Sequence, residues 1–416
     1  MAICRSLVYR FAHSPQPDGQ RLVFLDIPPD RHVLSNIPAN VAIVHDWLDT
    51  WRGGERVLAE ILKLYPDSEL FTLVDFLPKS ERGPLGRIRI HTSFIQRLPQ
   101  ARRSFRRYLP LFPRAIESFD VSRFDLVISS SHAVAKGVRT HPRQLHLCYC
   151  YTPMRYAWDL QETYLKQVGL DRGVKAWLVR QSLARLRRWD RRVSDRVNDF
   201  AAISHHIARR IERCYGRTAT VIYPPVALPQ VTAAVTRGET YVTVSQFVPY
   251  KRIDTIVAAF ASLPQRELIV IGDGPERERI RARAGPNVRF LGQVPDPERD
   301  RWLAAARAFV FAAEEDFGIA PLEAQAFGTP VVAFGRGGAL ETIRGLDDPS
   351  PTGVFFAEQS PAAIAEAIRT FETHESRIAA PACRENAVRF GAGRFRAEFG
   401  AFVAAHCDQF FGRRGA

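Results

Sequence analysis

From Asn40 onward, short apolar runs alternate with longer stretches whose hydrophobic positions recur at helical spacing. VAIVH (41–45), ELFTLVD (69–75), DLVISSS (125–131), LHLCYCYT (145–152), DFAAIS (199–204) and ATVIYPP (219–225) read as strands. Nearly continuous apolar strands of this kind belong to parallel sheets covered by helices on both faces. Periodicity lapses over 226–238, just after Pro224 and Pro225, and this stretch reads as a linker. A second alternation follows: TYVTVSQ (240–246), ELIVIGDG (267–274), VRFLGQV (288–294), AFVFAAEE (308–315) and PVVAFG (330–335). The pattern predicts an α/β chain of two doubly wound, Rossmann-like domains facing a cleft, over 39–225 and 239–384. Residues 385–416 are expected to form a C-terminal helix crossing back to the first domain. Residues 1–38 form an extension that is given no function.

Length changes this picture little: 416 residues suit two full cores. Charge changes it more. A formal net charge of +14 predicts an anionic partner: a nucleic acid, an acidic membrane or a phosphorylated substrate. The six cysteines show no zinc spacing and read as reduced, buried thiols of a cytosolic protein. No apolar run approaches the ~18 residues of a membrane span, and the N-terminus lacks a signal-peptide core.

Ligands of doubly wound sheets sit beyond the C-terminal ends of the strands, so the loops there carry the candidate chemistry. In the second half, SQFVPYKR places Lys251 and Arg252 at a loop-to-helix junction. GDGPERERI supplies a tight glycine turn, and EEDFGIAPLE (314–323) sets Glu315 and Glu323 eight positions apart around Phe317, Gly318 and Ile319. A helix opening after Gly318 would direct free N–H groups and its positive dipole end at anionic oxygen. Taken singly, each motif also fits an ordinary turn or an acidic helix start.

The ordered set, running on into PLEAQAFGTPVVA, resembles the donor half of the retaining GT-B glycosyltransferases of family four over about residues 240–345. The resemblance implies that Glu315 meets hydroxyls of the donor sugar and Glu323 holds the ribose diol. Lys251 would neutralise the diphosphate. Phe317, Gly318, Ile319 and Arg252 complete the expected donor contacts. One departure is visible: Gln246-Phe247 stands where many relatives carry Arg-Leu.

In the first half, HDWLDTWRGGERVL puts Gly53 and Gly54 after the first strand, where they resemble the family's flexible loop over the donor phosphates. His132, ending FDLVISSSH, is the resemblance's candidate beside the reacting sugar, and His45 is a second candidate, assigned to the acceptor. HLCYCYTPMRYAWD resembles a subgroup of bacterial surface-polysaccharide mannosyltransferases, with Tyr151 where a histidine is expected. Arg155 of this stretch reads either as an acceptor-phosphate contact or as a structural salt bridge.

Two basic stretches account for much of the charge. Residues 94–116 interleave arginines with Phe105, Tyr108, Leu109, Leu111 and Phe112, and 175–196 has a basic amphipathic pattern. Both suit an anionic membrane surface, and a solvated basic face is the bland alternative. Together the readings point to a retaining, metal-independent hexosyltransferase with no cofactor. Its donor would be a nucleotide-diphospho-sugar, GDP-mannose being preferred, and its acceptor a hydroxyl of a lipid-linked saccharide. It would be cytoplasmic, peripheral to the inner face of the membrane. The rivals are a GT-B epimerase or phosphorylase and, on charge alone, a nucleic-acid-binding protein, for which no reader motif is present.

Overall fold

The computed structural model describes residues 38, 40–158, 173–229 and 237–412. The extension 1–38, except for residue 38, and the linker positions 230–236 thus lie outside the described residues. Two wholly parallel sheets form, with the order β3-β2-β1-β4-β5-β6-β7 in the first and β10-β9-β8-β11-β12-β13 in the second. The strands of the first are β1 (Val41–His45), β2 (Glu69–Thr72), β3 (Arg89–Thr92), β4 (Leu126–Ser131), β5 (Leu145–Cys150), β6 (Asp199–Ala202) and β7 (Thr220–Val221). Those of the second are β8 (Tyr241–Val244), β9 (Leu268–Ile271), β10 (Val288–Gly292), β11 (Ala308–Phe311), β12 (Val331–Phe334) and β13 (Gly353–Phe356). Five helices matter to the cleft: α1 (Gly53–Leu64), α2 (Gly173–Ser194), α3 (His205–Tyr215), α4 (Ile319–Ala326) and α5 (Ala392–Gly412).

Each apolar run named from the sequence contains a strand. The structure adds β3 and β13, which the apolar pattern does not predict, and both are edge strands. In β3, RIHT is partly exposed throughout and offers no continuous apolar signal. By contrast, all of β1 is buried because its alternate residues feed opposite cores. Val41 and Ile43 pack in one hydrophobic cluster, and Ala42 and Val44 in the other.

Both sheets reverse their winding at one point, between β1 and β4 in the first and between β8 and β11 in the second. The register His45↔Ser130 fixes how the ends of β1 and β4 lie together. Such switch points open a crevice at the strands' C-terminal ends. All of the principal sequence candidates fall there: His45 and His132 end β1 and β4, and Lys251 and Glu315 follow β8 and β11.

Helix α5 returns to the first domain, where Phe395, Phe399, Phe402, Val403 and Cys407 join the cluster beneath β1, β4 and β5. The two chain crossings run side by side: the Val226 amide donates to the Phe390 carbonyl at 2.9 Å, and Val226 pairs with Gly391. Beside them the rings of Tyr223, Phe317 and Phe390 meet in tilted and edge-on contacts with centroids 5.2–5.7 Å apart, making an aromatic hinge.

The two basic stretches fare differently. Residues 94–117 fold as short helical segments, interrupted around Pro99 and kinked at Tyr108. Phe105 and Phe112 turn into the core beneath Trp47, and of the apolar residues named there only Leu111 is exposed. Two of its aromatic rings are thus structural, while Phe94 and Leu111 stay exposed at 39 % each among exposed arginines. In α2 the pattern holds: Trp177 (58 %) and Leu178 (56 %) are among the most exposed large apolar side chains, with Arg185, Arg188, Arg191 and Arg192 exposed further along. Among the described residues, no helix is long and apolar enough to cross a membrane.

Candidate active site

The donor wall is built on the loops after β8 and β11. Lys251 and Glu315 form an ion pair, their side chains about one-fifth exposed. Burial works against the Lys251 charge, but the Glu315 carboxylate outweighs it and holds the ammonium above its ordinary range. Gly318 caps α4 with φ +89°, a conformation that glycine adopts at no steric cost. The turn at 335–338 buttresses this loop: a Cβ at Gly338 would lie 2.3 Å from the Phe317 Cα. Loop and helix start are thus rigidly presented, and the first-turn N–H groups of α4 face an open end.

Two donor-side expectations need correction. The Phe317 side chain is 3 % exposed and belongs to the aromatic hinge, so its backbone alone is left to meet a donor. Arg252 occupies a left-handed conformation (φ +56°), is exposed, and donates to Gln359 at 3.2 Å, away from Lys251. Gln246, standing where an arginine was expected, accepts a bond from Arg52 of the first domain at 3.3 Å. A guanidinium therefore does reach this strand end, from across the cleft.

The opposite wall starts at the tip of β1. Asp46 is fully buried, and its carboxylate accepts four backbone N–H groups, from His132, Ala133, Val134 and Ala135, at 2.6–3.0 Å. It also lies 3.0 Å from His132 Nδ1. Burial alone would raise the Asp46 pKa, yet the His132 charge and these hydrogen bonds hold it well below the usual carboxylate range. The reciprocal effect raises His132: desolvation opposes its charge, and Asp46 more than compensates. The His132 ring is about one-third exposed and packs edge-on to Trp47, with centroids 4.5 Å apart, so its Nε2 is the nitrogen left to meet a ligand.

His45 does not meet the acceptor directly, because it is entirely buried. Instead its Nδ1 lies 3.0 Å from Ser130 Oγ, Ser130 lies 2.9 Å from the Tyr151 hydroxyl, and that hydroxyl donates to the Gly54 carbonyl at 3.0 Å. Tyr151, where a histidine was expected, is thereby the strut that ties β1 and β4 to the glycine loop. Burial pushes its phenol up, so it stays protonated as a donor. Glu55 closes the network, accepting from the Arg52 amide at 2.9 Å, with its other oxygen 3.8 Å from His45 Nε2.

The two walls are joined. A Cβ on Gly53 would lie 2.7 Å from Ile319 Cδ1, so the starts of α1 and α4 meet. Arg56 of α1 donates to Glu323 of α4 at 2.9 Å. Arg155 and Arg210 both reach Asp316 Oδ1, at 2.5 and 3.2 Å. Glu341 caps α3, accepting from the amides of His205 and His206 at 2.7 and 2.8 Å. Of the two readings of Arg155, the salt bridge is the one formed. The sequence reading missed Asp46, Arg56, Asp316 and Glu341, although each adjoins a residue or motif that it named. Among the described residues, no cluster of three or more His, Cys, Asp or Glu side chains is arranged to hold a metal ion.

Comparison with known proteins agrees with this architecture. Residues 227–390 match the family described as Glycosyl transferases group 1. A GDP-mannose-dependent alpha-(1-6)-phosphatidylinositol monomannoside mannosyltransferase of Mycobacterium tuberculosis H37Rv is 29 % identical over 209 residues, 43 % of this chain and 53 % of that protein. A GDP-mannose-dependent monoacylated alpha-(1-6)-phosphatidylinositol monomannoside mannosyltransferase of Corynebacterium glutamicum is 30 % identical over 184 residues, 37 % and 48 % of the two chains. The chain thus spans about half the length of these curated relatives. Among solved structures, Anabaena Alr3699/HepE in complex with UDP and glucose superposes with TM-score 0.61 at 18 % identity, covering 86 % of this chain and 97 % of that one. The lipopolysaccharide outer core galactosyltransferase WaaB does so with TM-score 0.59 at 17 % identity, covering 87 % and 99 %. Residues 227–390 thus form a glycosyl transferases group 1 domain, and the chain as a whole has the two-domain fold that these solved glycosyltransferase structures share.

Proposed function

We propose that the protein is a retaining glycosyltransferase that needs neither metal nor cofactor. It would move mannose from GDP-mannose to a hydroxyl of a lipid-linked saccharide, at the inner face of the cytoplasmic membrane. The observation that carries this reading is the meeting of the two switch points. The Lys251–Glu315 pair, Glu323 and the open start of α4 line one side of the cleft, and His132, backed by Asp46, lines the other. Similarity to GDP-mannose-dependent phosphatidylinositol monomannoside mannosyltransferases supports the mannosyl donor and a lipid acceptor. The exposed Trp177-Leu178 tip and basic face of α2 support the membrane partner.

In this reading Glu323 holds the ribose diol, and the Lys251 ammonium with the N–H groups of α4 neutralises the diphosphate. Glu315, oriented by Lys251, accepts bonds from sugar hydroxyls. The acceptor oxygen attacks the anomeric carbon from the face that the diphosphate leaves. The carbon–diphosphate bond breaks, and the acceptor's proton passes to the departing phosphate oxygen. His132 Nε2 stands on the acceptor side to donate to a sugar oxygen.

The test is calorimetric titration with GDP, UDP, ADP and their mannose and glucose conjugates, repeated with Glu323→Ala. One nucleotide should bind tightly and lose at least about tenfold in the variant, as expected for a lost hydrogen bond to a charged group. Transfer from GDP-mannose with the anomeric configuration kept, read by NMR, would then establish the chemistry. Absence of binding to every nucleotide would leave the fold without the activity.

A further inference from the structure

Arg56 occupies the first turn of α1, and its guanidinium Nη1 takes one carboxylate oxygen of Glu323, Oε1, at 2.9 Å. The contact spans the two domains beside the point where the Ile319 side chain packs against Gly53, a Cβ on which would lie 2.7 Å from Ile319 Cδ1. The Glu323 side chain is 16 % exposed and the Arg56 side chain 34 %. An ion pair this accessible adds little to stability. Its effect is geometric. Pinned through Oε1, Glu323 has one orientation and one remaining oxygen, Oε2, with which to accept from a ligand hydroxyl. The same guanidinium offsets a carboxylate that would otherwise repel the nearby diphosphate.

We propose that Arg56 is a positioning and specificity residue for the donor. It holds Glu323 so that Oε2 faces the ribose diol, and it thereby sets the preference for ribonucleotide over 2′-deoxyribonucleotide donors. This rests on the reading of Glu323 as the ribose-holding carboxylate. Because Arg56 belongs to the opposite domain, the aim is correct only while the cleft is closed, and a bound ribonucleotide favours that closed state.

The test uses whichever of GDP, UDP and ADP binds the full chain most tightly, together with its 2′-deoxy analogue. Both are titrated calorimetrically into wild type, Arg56→Ala, Arg56→Lys and Glu323→Ala. Wild type should prefer the ribonucleotide by about tenfold or more, the worth of one charge-assisted hydrogen bond. In Arg56→Ala the ribonucleotide should weaken by about tenfold while its deoxy analogue moves less than about twofold, so the preference collapses toward one. Arg56→Lys should restore part of it. Equal weakening of both nucleotides would overturn the proposal in favour of a general attraction for the diphosphate. Tighter ribonucleotide binding by Arg56→Ala would also overturn it, by showing that Arg56 competes with the ribose. If Glu323→Ala binds like wild type, or wild type binds no nucleotide, the donor-site reading itself fails and the proposal goes with it. An unchanged preference in Arg56→Ala beside a loss in Glu323→Ala sinks the Arg56 proposal alone.

Discussion

Replacing Asp46 with asparagine isolates what the buried carboxylate does for His132. Each Asp46 oxygen accepts two backbone N–H groups: Oδ2 takes those of His132 and Ala133, and Oδ1 those of Val134 and Ala135. An asparagine side chain keeps one acceptor and turns an amide NH₂ toward the other two donors. Two charge-assisted bonds are then lost and two buried donors are left unmet, so a destabilisation of about 3–5 kcal/mol is expected. A domain with an ordinary margin of about 5–15 kcal/mol survives this. The pH dependence adds a signature. His132 is raised in the folded state. Its contribution is therefore complete below the unfolded value of about 6.5 and fades as pH rises through the folded value. Asp46 is lowered. Its contribution is present above about pH 4 and fades on further acidification. The stability gap between wild type and Asp46→Asn should accordingly be larger near pH 5.5 than near pH 9, measured by urea unfolding. NMR titration of the His132 ring should show its pKa falling in the variant. An unmoved His132 titration, or a gap of the same size at both pH values, would refute the reasoning.

Two further outcomes follow from the geometry. Lys136 and Asp190 are a fully buried ion pair at 2.6 Å, with Trp158 and Tyr215 also donating to Asp190, so Lys136→Met should destabilise the first domain by about 3–5 kcal/mol, read as a lowered melting temperature. An unchanged melting temperature would show that the pair is neutral. Trp177→Ser with Leu178→Ser should weaken co-sedimentation with phosphatidylglycerol vesicles by at least about tenfold, given ~1.5–3 kcal/mol for each buried apolar side chain, and should leave nucleotide binding alone. Equal sedimentation of variant and wild type would remove the α2 tip as an anchor.

The residues legible in the sequence share a physical property: each stands at the end of an apolar strand run, where period and motif can be read locally. Lys251, Glu315 and His132 are of this kind, and Glu323 lies in the helix that follows such a run. What stayed hidden depends on pairing across large sequence separations. Nothing local to Asp46 announces that its carboxylate collects four amides 86 to 89 positions downstream. The same applies to Arg56, whose partner is 267 residues away. The burial of His45 and of the Phe317 side chain stayed hidden for a related reason. A polar or aromatic residue at a strand end is equally compatible with the cleft and the core, and burial is decided by the packing of other elements. The edge strand β3 escaped because its edge is wet, which dilutes the apolar run, and β13 because its buried apolar run is only four residues long.

The cross-cleft contacts and the hinge differ in kind, and the difference bears on how the enzyme would work. The hinge is mainly apolar: Phe317 and Phe390 are buried, Tyr223 is half-buried against them, and α5 packs on the first domain's core. It has no reason to separate in water. The bonds across the cleft are ionic and partly wet: Arg56 to Glu323, Arg155 and Arg210 to Asp316, and Glu341 to the start of α3. The Arg56–Glu323 pair, with side chains 34 % and 16 % exposed, is worth about 0–1 kcal/mol, whereas the Asp316 pairs are more deeply buried, with Arg210 only 7 % exposed. An apolar pivot with charged latches suits a cleft that opens and closes. Three of the latched residues, Glu323, Asp316 and Arg155, lie in the segments that would meet donor or acceptor. A ligand arriving there meets side chains already held by the opposite domain, so binding and closure draw on the same few bonds. Breaking Arg155–Asp316 by Asp316→Asn should then favour the open form. It would raise the donor KM more than it lowers kcat, and small-angle scattering should show a larger radius of gyration. If the dimensions stay the same while KM rises, Asp316 acts on the ligand alone, and the latches are not what governs closure.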